Sequence, residues 1–371
     1  MKIALVHDYL RDFGGAERVL RTLSDIYPKA PIYTAFYVPG SVGYESFKDR
    51  KVFESSWGWL IKYFNLYSPL RFLLPQIWGS MDLSEYDVVI TSCSNYIARG
   101  FKVGEKTKVI AYCHTPPRFL YGFKTGDLAQ MWPVKIYGQI IGHFLRIFDW
   151  ESSRRVNYWI ANSVNVAKRI SKFYRKVSVV IYPPTDTAKI IKVSKGVEKE
   201  NFFLIVSRLV GTKGLVEAVT AAAKLGFNLK IVGKAEGLLD ITNRLEKASQ
   251  GKVEFLGRVT DQELWKLYAR AKGFMALARD EDFGMTIVES QAAGTPVIAF
   301  NGGGFKETIV DGKTGIFVDD TSVSTLEKAI QKFNKTKWSK MAIQANAKKF
   351  SRERFEKEVL KFINKAYART S

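Results

Sequence analysis

The chain has 371 residues, enough for two ordinary domains, and its 46% hydrophobic and 25% charged residues exclude a disordered protein. Its formal charge of +21 favours anionic partners, but it is spread evenly, with +10 through Asp186 and +11 after it, so we expect no nucleic-acid partner. No run approaches roughly 18 consecutive apolar residues and the N-terminus enters an apolar segment at once, so we expect no spanning helix, no signal peptide and a cytoplasmic location.

Strand and helix patterns alternate along the chain. Short apolar runs rich in β-branched residues predict strands, and apolar residues between them recur at the helical period of about 3.6. This alternation predicts an α/β fold built from parallel sheets. The predicted strands are Ile3–His7, Asp87–Thr91, Lys108–Cys113, Tyr158–Ala161, Val177–Tyr182, Phe202–Ser207, Leu229–Val232, Val253–Leu256, Gly273–Leu277, Pro296–Phe300 and Thr314–Val318.

Tandem prolines mark the predicted domain boundary. Pro183 and Pro184 follow a strand pattern and precede a Lys-rich stretch, and two prolines can neither continue a sheet nor lie inside a helix. We therefore predict a first domain over residues 1–186 and a second over 187–350. The last helix, in 351–371, carries an apolar face and is expected to pack on another element.

Cysteine and histidine are scarce. The two cysteines, Cys93 and Cys113, lie in strand-like segments and are expected to be buried thiols rather than a disulfide. The three histidines form no cluster with metal-ligand spacing, so we predict no metal site.

Two carboxylates bracket the strongest local motif, in which Glu281 and Glu289 are separated by seven residues. Glu281 falls in a loop after a predicted strand and Glu289 about one turn into the next helix, at the sheet edge where ligands bind in α/β folds. Two acids there can accept hydrogen bonds from sugar and ribose hydroxyls, and a solvated acidic turn explains the motif as well. The residues between them that we expect to bind the same ligand are Phe283, Gly284, Met285 and Thr286.

A basic loop follows the first strand of the second half. Arg208 and Lys213 flank a Gly-containing turn at the same carboxyl edge, and two cations on such a turn suit a diphosphate. A plain exposed turn is the alternative, since the chain has 57 basic residues. The next strand ends in Gly233, where a nucleotide could lie.

Two features of the first half lie at the equivalent edge. Gly14 and Gly15 follow the first strand and open a helix, where free N–H groups bind anions, although a plain glycine turn gives the same pattern. His114 follows a strand and precedes two prolines, and we favour a ligand contact over a structural role for it, and less so for His7.

In combination and order, these motifs resemble glycosyltransferase family 4, whose members are retaining enzymes of the GT-B fold. The resemblance covers nearly the whole chain and implies two Rossmann-like domains facing a cleft, the first binding the acceptor and the second the nucleotide sugar, with the final helix returning to the first domain. Two departures are Ser207, where the family usually has Gly, and Asp282, where it often has Pro.

The same resemblance implies roles for individual residues. Glu281 would contact the donor sugar, Glu289 the ribose, and Arg208 with Lys213 the diphosphate. His114 would contact the transferred sugar. The resemblance also places Gly14 and Gly15 near the phosphates, and we expect Gly233 on the donor side and Arg118 and Tyr121 on the acceptor side.

The expected function is therefore transfer of a hexose, with mannose from GDP-mannose favoured, onto a glycan or a lipid-linked acceptor in surface polysaccharide or glycolipid synthesis. No cofactor other than the nucleotide-sugar substrate is expected. A UDP- or ADP-sugar-dependent enzyme of the same fold is the alternative. Outside catalysis, a nucleic-acid-binding protein or an inactive partner subunit remains to be distinguished.

Two segments combine aromatic residues with cations and lack acidic residues, one between Glu54 and Asp82 and one between Asp127 and Asp149. This pattern suits peripheral contact with an anionic membrane at its inner face, and an aromatic-rich core explains it equally. The residues concerned are Trp57, Trp59, Tyr63, Phe64, Tyr67, Phe72, Trp78, Trp132, Tyr137, Phe144 and Phe148, with Lys62, Arg71, Lys135 and Arg146.

Overall fold

The computed structural model describes residues 1–64, 66–123, 132–234 and 242–368. These residues form two compact units. The first holds the described residues of 1–123, 132–184 and 353–368, and the second holds those of 185–352.

A parallel sheet of seven strands forms the centre of the first unit, in the order β3-β2-β1-β4-β5-β6-β7. The direction of the strand order reverses between β1 and β4. The strands are β1 Ile3–His7, β2 Ile32–Thr34, β3 Val52–Glu54, β4 Val88–Cys93, β5 Lys108–Cys113, β6 Tyr158–Ala161 and β7 Ser178–Val180. The helices are α1 Gly15–Ile26, α2 Val42–Glu45, α3 Gly58–Phe64, α4 Leu74–Gly79, α5 Trp132–Arg154, α6 Val164–Tyr174 and, after the second unit, α15 Arg352–Ala368.

Apolar side chains cover both faces of this sheet. All five residues of β1 are buried: Ala4 and Val6 belong to one core cluster, and Ile3 and Leu5 to another. This is the expected pattern for a parallel strand with packed layers on both faces. The apolar face predicted for the last helix lies in the second of these clusters, through Phe355, Val359, Ile363 and Ala366.

A parallel sheet of six strands forms the centre of the second unit, in the order β10-β9-β8-β11-β12-β13, which reverses between β8 and β11. Its strands are β8 Glu200–Val206, β9 Leu229–Val232, β10 Val253–Gly257, β11 Ala271–Ala276, β12 Val297–Phe300 and β13 Gly315–Val318. Its helices are α7 Thr187–Val193, α8 Leu215–Leu225, α9 Thr242–Ser249, α10 Asp261–Arg270, α11 Met285–Ala292, α12 Phe305–Thr308, α13 Val323–Lys335 and α14 Lys340–Lys348.

Two Rossmann-like α/β units with parallel sheets confirm the predicted fold class. The sequence prediction missed two strands, β2 and β3, because three-residue strands are too short to show a period. The strand predicted over Val177–Tyr182 is confined to β7, ahead of the tandem prolines. Cys93 and Cys113 are buried and free, as predicted.

Candidate active site

In the second unit, the predicted donor residues lie where the strand order reverses. Arg208 lies two residues after β8, and Glu281 lies five residues after β11, the neighbouring strand. At such a reversal the connections leave the sheet in opposite directions, and the crevice that opens at the carboxyl ends of the strands is where α/β folds bind ligands. The acidic and basic motifs thus meet at one place in the sheet.

Lys213 and Glu281 form an ion pair across this point. Lys213 closes a short 3-10 turn, Gly211–Lys213, and its Nζ lies 2.6 Å from Oε2 of Glu281. The two side chains are 21% and 24% exposed, so solvent reaches both. Arg208 lies on the same loop and is exposed. An anionic ligand entering here would meet two cations, Arg208 and Lys213.

Glu289 is in a different environment from Glu281. It lies in the middle of α11 and is only 7% exposed, and the hydroxyl of Tyr268 donates a hydrogen bond to its Oε2 over 3.1 Å. Gly284 precedes the first turn of α11, and Met285 and Thr286 are half-buried within that turn. A buried carboxylate held by a hydroxyl has a defined position, which a contact to ribose would require.

Phe283 contributes to packing rather than to an open surface. Its ring is buried and meets Phe350 edge-to-face, with the centroids 5.5 Å apart. A contact from this residue to a donor would therefore come from its backbone. Burial of this ring also anchors the loop that carries Glu281.

Two glycines let backbone segments approach the site. A Cβ on Gly303 would lie 2.3 Å from the carbonyl oxygen of Glu281, and the residue has φ +54°. A Cβ on Gly233 would lie 1.8 Å from the carbonyl oxygen of Ser207. No side chain fits at either position, because real Cβ atoms do not come that close to backbone. The loop of Gly303 therefore packs directly on the backbone of Glu281 and supports the acidic loop.

In the first unit, His114 lies immediately after β5 and takes part in a chain of hydrogen bonds. Its Nε2 is 2.8 Å from Oγ of Ser92, and that oxygen is 3.0 Å from Nδ1 of His7. Nε2 of His7 lies 3.3 Å from Oε1 of Glu17. His7 and Ser92 are register partners in β1 and β4, at the reversal of the first sheet.

The backbone and burial of His114 fix its state. Its N–H donates to the carbonyl of Cys93 and its carbonyl accepts from the side chain of Asn162. Burial lowers the pKa of His114 to about 3, and the neighbouring His7 contributes to the same shift. His114 is therefore a neutral imidazole at physiological pH, able to hydrogen-bond a sugar hydroxyl without carrying charge.

The glycine loop is connected to His114 through Glu17. Gly14 and Gly15 are exposed at the start of α1, and the N–H of Gly14 donates to Oε2 of Glu17 over 2.8 Å. Burial raises the pKa of Glu17, but the hydrogen bond and charge interaction with His7, together with backbone hydrogen bonds such as that from Gly14, leave the pKa below its usual value. Since Glu17 already accepts one N–H of this loop, an anion would have to use the others.

The predicted acceptor residues follow His114. Arg118 begins a 3-10 turn, Arg118–Leu120, and is half-buried. The Tyr121 hydroxyl donates to Oδ2 of Asp149 over 2.6 Å, and its ring stacks on Phe173 with the centroids 4.0 Å apart. These contacts give Tyr121 a part in the packing of the first unit, beside any acceptor role.

Among the residues that the structure describes, no three His, Cys, Asp or Glu side chains gather as a metal site requires. Within the same residues, no helix combines the length and apolar character needed to cross a bilayer.

The sequence analysis missed three side chains of these sites: Ser92, Glu17 as the partner of His7, and Tyr268. Ser92 lies in the hydroxyl-rich run Thr91-Ser92-Cys93-Ser94 at a strand end, and this run is the sequence feature that could have indicated a polar residue at the site. Glu17 directly follows the Gly14-Gly15 motif. Tyr268 reads as an ordinary core residue of a helix, so no sequence signal distinguished it.

Comparisons with known proteins found similar chains. Residues 186–350 match the protein family described as glycosyl transferases group 1. An uncharacterized glycosyltransferase of Methanocaldococcus jannaschii is 28% identical over 189 residues, which cover 49% of this chain and 54% of that protein, about half its length. The alpha-1,3/1,6-mannosyltransferase ALG2 of Dictyostelium discoideum is 22% identical over 86% of this chain and 87% of its own length.

Solved structures share the fold. Anabaena HepE in complex with UDP and glucose superposes with a TM-score of 0.69 at 20% identity, covering 98% of this chain and 99% of that one. The sucrose-phosphate synthase of Thermosynechococcus elongatus gives a TM-score of 0.75 at 15% identity, covering 99% and 100%. At these identities the likeness establishes the fold. Residues 186–350 therefore form a glycosyl transferases group 1 domain, and the chain as a whole has the fold of a GT-B glycosyltransferase.

Proposed function

We propose that the chain is a retaining glycosyltransferase of family 4 that moves mannose from GDP-mannose to a hydroxyl of a glycan or lipid-linked acceptor. The observation that carries this proposal is the pairing of Lys213 with Glu281 at the reversal of the second sheet, with Arg208 on the same loop. Cations and a carboxylate within one solvent-accessible crevice suit a diphosphate joined to a sugar.

The reaction breaks the bond between the anomeric carbon and the diphosphate oxygen, and the bonding electrons leave with the diphosphate. A bond forms between the anomeric carbon and the acceptor oxygen on the same face of the sugar. The acceptor's hydroxyl proton passes to the departing diphosphate oxygen, so no separate base is needed. Arg208 and Lys213 would stabilise the negative charge that grows on the leaving group. Electrostatic stabilisation of this kind is usually the largest contribution that a protein makes to such a step.

Glu281 would change partner when the donor binds. Once the diphosphate occupies Lys213, the carboxylate of Glu281 becomes available to accept hydrogen bonds from the sugar hydroxyls. Glu289, fixed by Tyr268, would hold the ribose. In the first unit, the neutral His114 would bond the transferred sugar, and the remaining N–H groups near Gly14 would face a phosphate.

The identity of the donor rests on relatives. ALG2 is named as a mannosyltransferase, as is the lipopolysaccharide core biosynthesis protein LpcC of Rhizobium leguminosarum, which is 38% identical over 79 residues. These names support mannose. The UDP complexes of HepE support the alternative, a UDP-sugar donor. The two alternatives differ in the nucleobase of the donor, so a direct comparison of donor binding distinguishes them.

The test is a thermal-shift comparison of GDP-mannose, UDP-glucose, UDP-N-acetylglucosamine and ADP-glucose, on the unmodified protein and on Glu289→Ala and Arg208→Ala. We expect GDP-mannose alone to raise the melting temperature, and both substitutions to abolish the shift. Lys224→Ala, an exposed lysine on α8, is the matched control and should behave like the unmodified protein. A shift with a UDP-sugar alone would replace GDP-mannose in the proposal. No shift with any donor would favour an inactive partner subunit or a nucleic-acid-binding protein.

We further propose that the first unit attaches peripherally to an anionic membrane at its inner face. Apolar residues of α3 and α5 are strongly exposed, up to 77% for Tyr63 and 63% for Phe144. Ile136, Ile140, Phe144 and Ile147 lie on one face of α5, and the Tyr137 hydroxyl bonds to the carbonyl of Pro69 in the neighbouring 3-10 turn. Exposed aromatic and aliphatic side chains of this kind suit a lipid interface.

The aromatic segments are divided between core and surface. Trp78 is buried, Tyr67 and Phe148 are partly buried, and the exposed members include Trp57, Trp59, Phe64 and Phe72. Residues 127–131 and the side chain of Trp132 lie outside the described residues. Substituting Lys62 would not cleanly test whether positive charge attracts the membrane, because its Nζ is 2.7 Å from Oε1 of Glu54 and already forms an ion pair.

The membrane proposal is tested by co-sedimentation with phosphatidylglycerol vesicles and with phosphatidylcholine vesicles. We expect binding to the anionic vesicles, and a loss of about tenfold when Trp59 and Tyr63 are both changed to Ala. Met341→Ala removes a side chain that is 81% exposed on the second unit and should change nothing. Equal binding of the double variant would contradict the proposal.

A further inference from the structure

Four side chains from four elements form one hydrogen-bonded chain at the reversal of the first sheet. Glu17 comes from α1, His7 from β1, Ser92 from β4, and His114 follows β5. Ser92 is fully buried, while His7 and His114 are 2% and 9% exposed. Glu17 is the most exposed of the four, with 14% of its side chain accessible to solvent.

The hydrogen-bond donors and acceptors that link these four side chains can be paired in two ways, which differ by one proton. When His7 is neutral, its Nε2–H donates to Glu17 and its Nδ1 accepts from the hydroxyl of Ser92. Ser92 Oγ then accepts from Nε2–H of His114, which leaves the Nδ1 atom of His114 as an acceptor. Each of these three hydrogen bonds then joins a donor to an acceptor.

When His7 carries both protons, every bond beyond Glu17 reverses. Nδ1–H of His7 now donates to Oγ of Ser92 and to the carbonyl oxygen of Ser92, which lies 3.2 Å away. The hydroxyl of Ser92 turns and donates to Nε2 of His114. A neutral His114 then carries its hydrogen on Nδ1. Each of these contacts again joins a donor to an acceptor, and the positive charge lies beside the carboxylate of Glu17.

We propose that Glu17, His7 and Ser92 act as positioning residues that set the tautomer of His114, so that one proton on His7 converts the free nitrogen of His114 from acceptor to donor. In this relay a proton enters at Nδ1 of His114, the Nε2 proton moves to Oγ of Ser92, and the Ser92 proton moves to Nδ1 of His7. Each group that gains a proton also passes one on, except His7, which ends with the charge.

His114 itself does not take the charge. Burial and the neighbouring His7 lower its pKa to about 3, whereas the proximity of Glu17 works in the opposite direction. The titratable groups facing His114 are His7, Glu17 and Tyr112, whose ring centroid is 5.2 Å from that of His114. Asp8, next to His7, directs its carboxylate to the N–H groups of Ser94 and Tyr96 instead. The proton therefore remains at His7, next to Glu17.

The free nitrogen is Nδ1 of His114, which forms no hydrogen bond to any residue that the structure describes. The coupling is a property of the first unit alone, and its effect on catalysis rests on the proposed function. If His114 binds the transferred sugar, the relay decides whether that contact donates to a sugar oxygen or accepts from a sugar hydroxyl.

The test is long-range proton–nitrogen NMR of protein labelled with nitrogen-15 histidine, without substrate. The chain has only three histidines, and the third, His143, is exposed and takes no part in this hydrogen-bonded chain. When the pH is lowered until the spectra show His7 doubly protonated, we expect His114 to have changed from the Nε2–H to the Nδ1–H tautomer while remaining neutral. A His114 that keeps one tautomer throughout, or that becomes doubly protonated together with His7, would overturn the proposal.

Ser92→Ala removes the connecting hydroxyl and should uncouple the tautomer of His114 from His7, and Ser92→Thr should restore the coupling. Persistent coupling in Ser92→Ala would contradict the relay. Should the buried Ala variant fail to fold, Glu17→Gln provides the second variant. It removes the charge that stabilises doubly protonated His7, so the tautomer change should move to lower pH, and an unmoved change would count against the proposal.

Turnover provides a separate readout. With the donor identified by thermal shift, we expect Ser92→Ala to lower kcat by about tenfold and to leave donor affinity within about twofold. Coupling seen by NMR in a protein without transferase activity would support the relay and reject the proposed function. Activity that follows the thermal-shift predictions, with no tautomer change in His114, would do the reverse.

Discussion

The two units use ion pairs in opposite ways. In the first, Arg99 and Asp149 pair at 2% and 0% side-chain exposure, with the Arg99 guanidinium 4.8 Å from the ring centroid of Tyr174. In the second, Lys213 and Glu281 are each more than a fifth exposed. Neither buried partner can be released without leaving an uncompensated charge in the core, whereas the half-buried pair, which solvent reaches, can exchange partners with a ligand at a lower cost. Burial therefore separates the charges that hold the fold from those available for binding.

The reversal points of the two sheets show the same contrast. At the first, His7, Ser92 and His114 are buried and hydrogen-bonded to one another. At the second, Arg208 is exposed and the Lys213–Glu281 pair is open to solvent. A buried network positions one imidazole accurately, and an open charged loop attracts an anion. The following predictions test this division, from the largest expected effect to the smallest.

Removing one partner of the buried Arg99–Asp149 pair should lower the free energy of unfolding the most. Asp149→Ala leaves Arg99 charged in the core and removes the acceptor of the Tyr121 hydroxyl, so we expect unfolding free energy to fall by about 3–5 kcal/mol. Urea denaturation measures it. Asp49→Ala breaks the exposed pair with Arg21 and should cost less than about 1 kcal/mol. Equal costs for the two variants would contradict the comparison.

Removing the cation of the exposed pair should affect turnover more than stability. With Lys213→Ala, charge on the departing diphosphate loses a partner, and we expect kcat to fall by about 10²–10³-fold. The melting temperature should change little, because an exposed ion pair contributes little to folding. Lys224→Ala is the control in a donor-turnover assay. A marked loss of stability together with unchanged turnover would mean that Lys213 has a structural role.

Stability should depend on pH through His114. Its pKa is lowered to about 3 in the folded state, mainly by burial, against about 6.5 in an unfolded chain. Between these values the unfolded chain binds the extra proton, so the folded state loses stability as pH falls, by at most about 1.4 kcal/mol per pH unit from this group.

We expect His114→Asn to show a shallower loss of unfolding free energy between about pH 6.5 and 4, measured by urea denaturation. His143→Asn changes an exposed histidine and should keep the slope of the unmodified protein. Identical slopes for His114→Asn and the unmodified protein would show that His114 is protonated in the folded state.

The smallest effect concerns the carboxylate of Glu289. Tyr268→Phe removes the hydroxyl that donates to it, and we expect a loss of about 1 kcal/mol of unfolding free energy. Donor affinity by thermal shift should fall as well, because the carboxylate loses the bond that fixes it. Tyr33→Phe, which removes a hydroxyl bonded to Tyr86, is the control and should leave donor affinity unchanged. Equal donor affinity in both variants would remove Tyr268 from the site.

Much of the fold could be predicted because parallel strands are short, continuous apolar runs. Ile3–His7, Lys108–Cys113, Tyr158–Ala161 and Leu229–Val232 have the predicted bounds. The strands β2 and β3 could not be predicted from the sequence. Three residues at the side of a sheet acquire strand geometry from the neighbouring strand and not from their own pattern. Thr260 and Glu263 form a capping box at the start of α10, a feature that depends only on residues within one turn.

The sequence by itself determined the α/β class, the order of the motifs and the chemical types of the candidate groups, because these depend on local pattern. Only the tertiary structure decided which groups meet. Lys213 and Glu281 are 68 residues apart, and His7 and Ser92 are 85 apart. Their contact depends on which strands become neighbours where each sheet reverses, and burial at that position then decides their charge. Neither the pairing of the strands nor the burial of these side chains can be read from the residues adjacent to them in sequence.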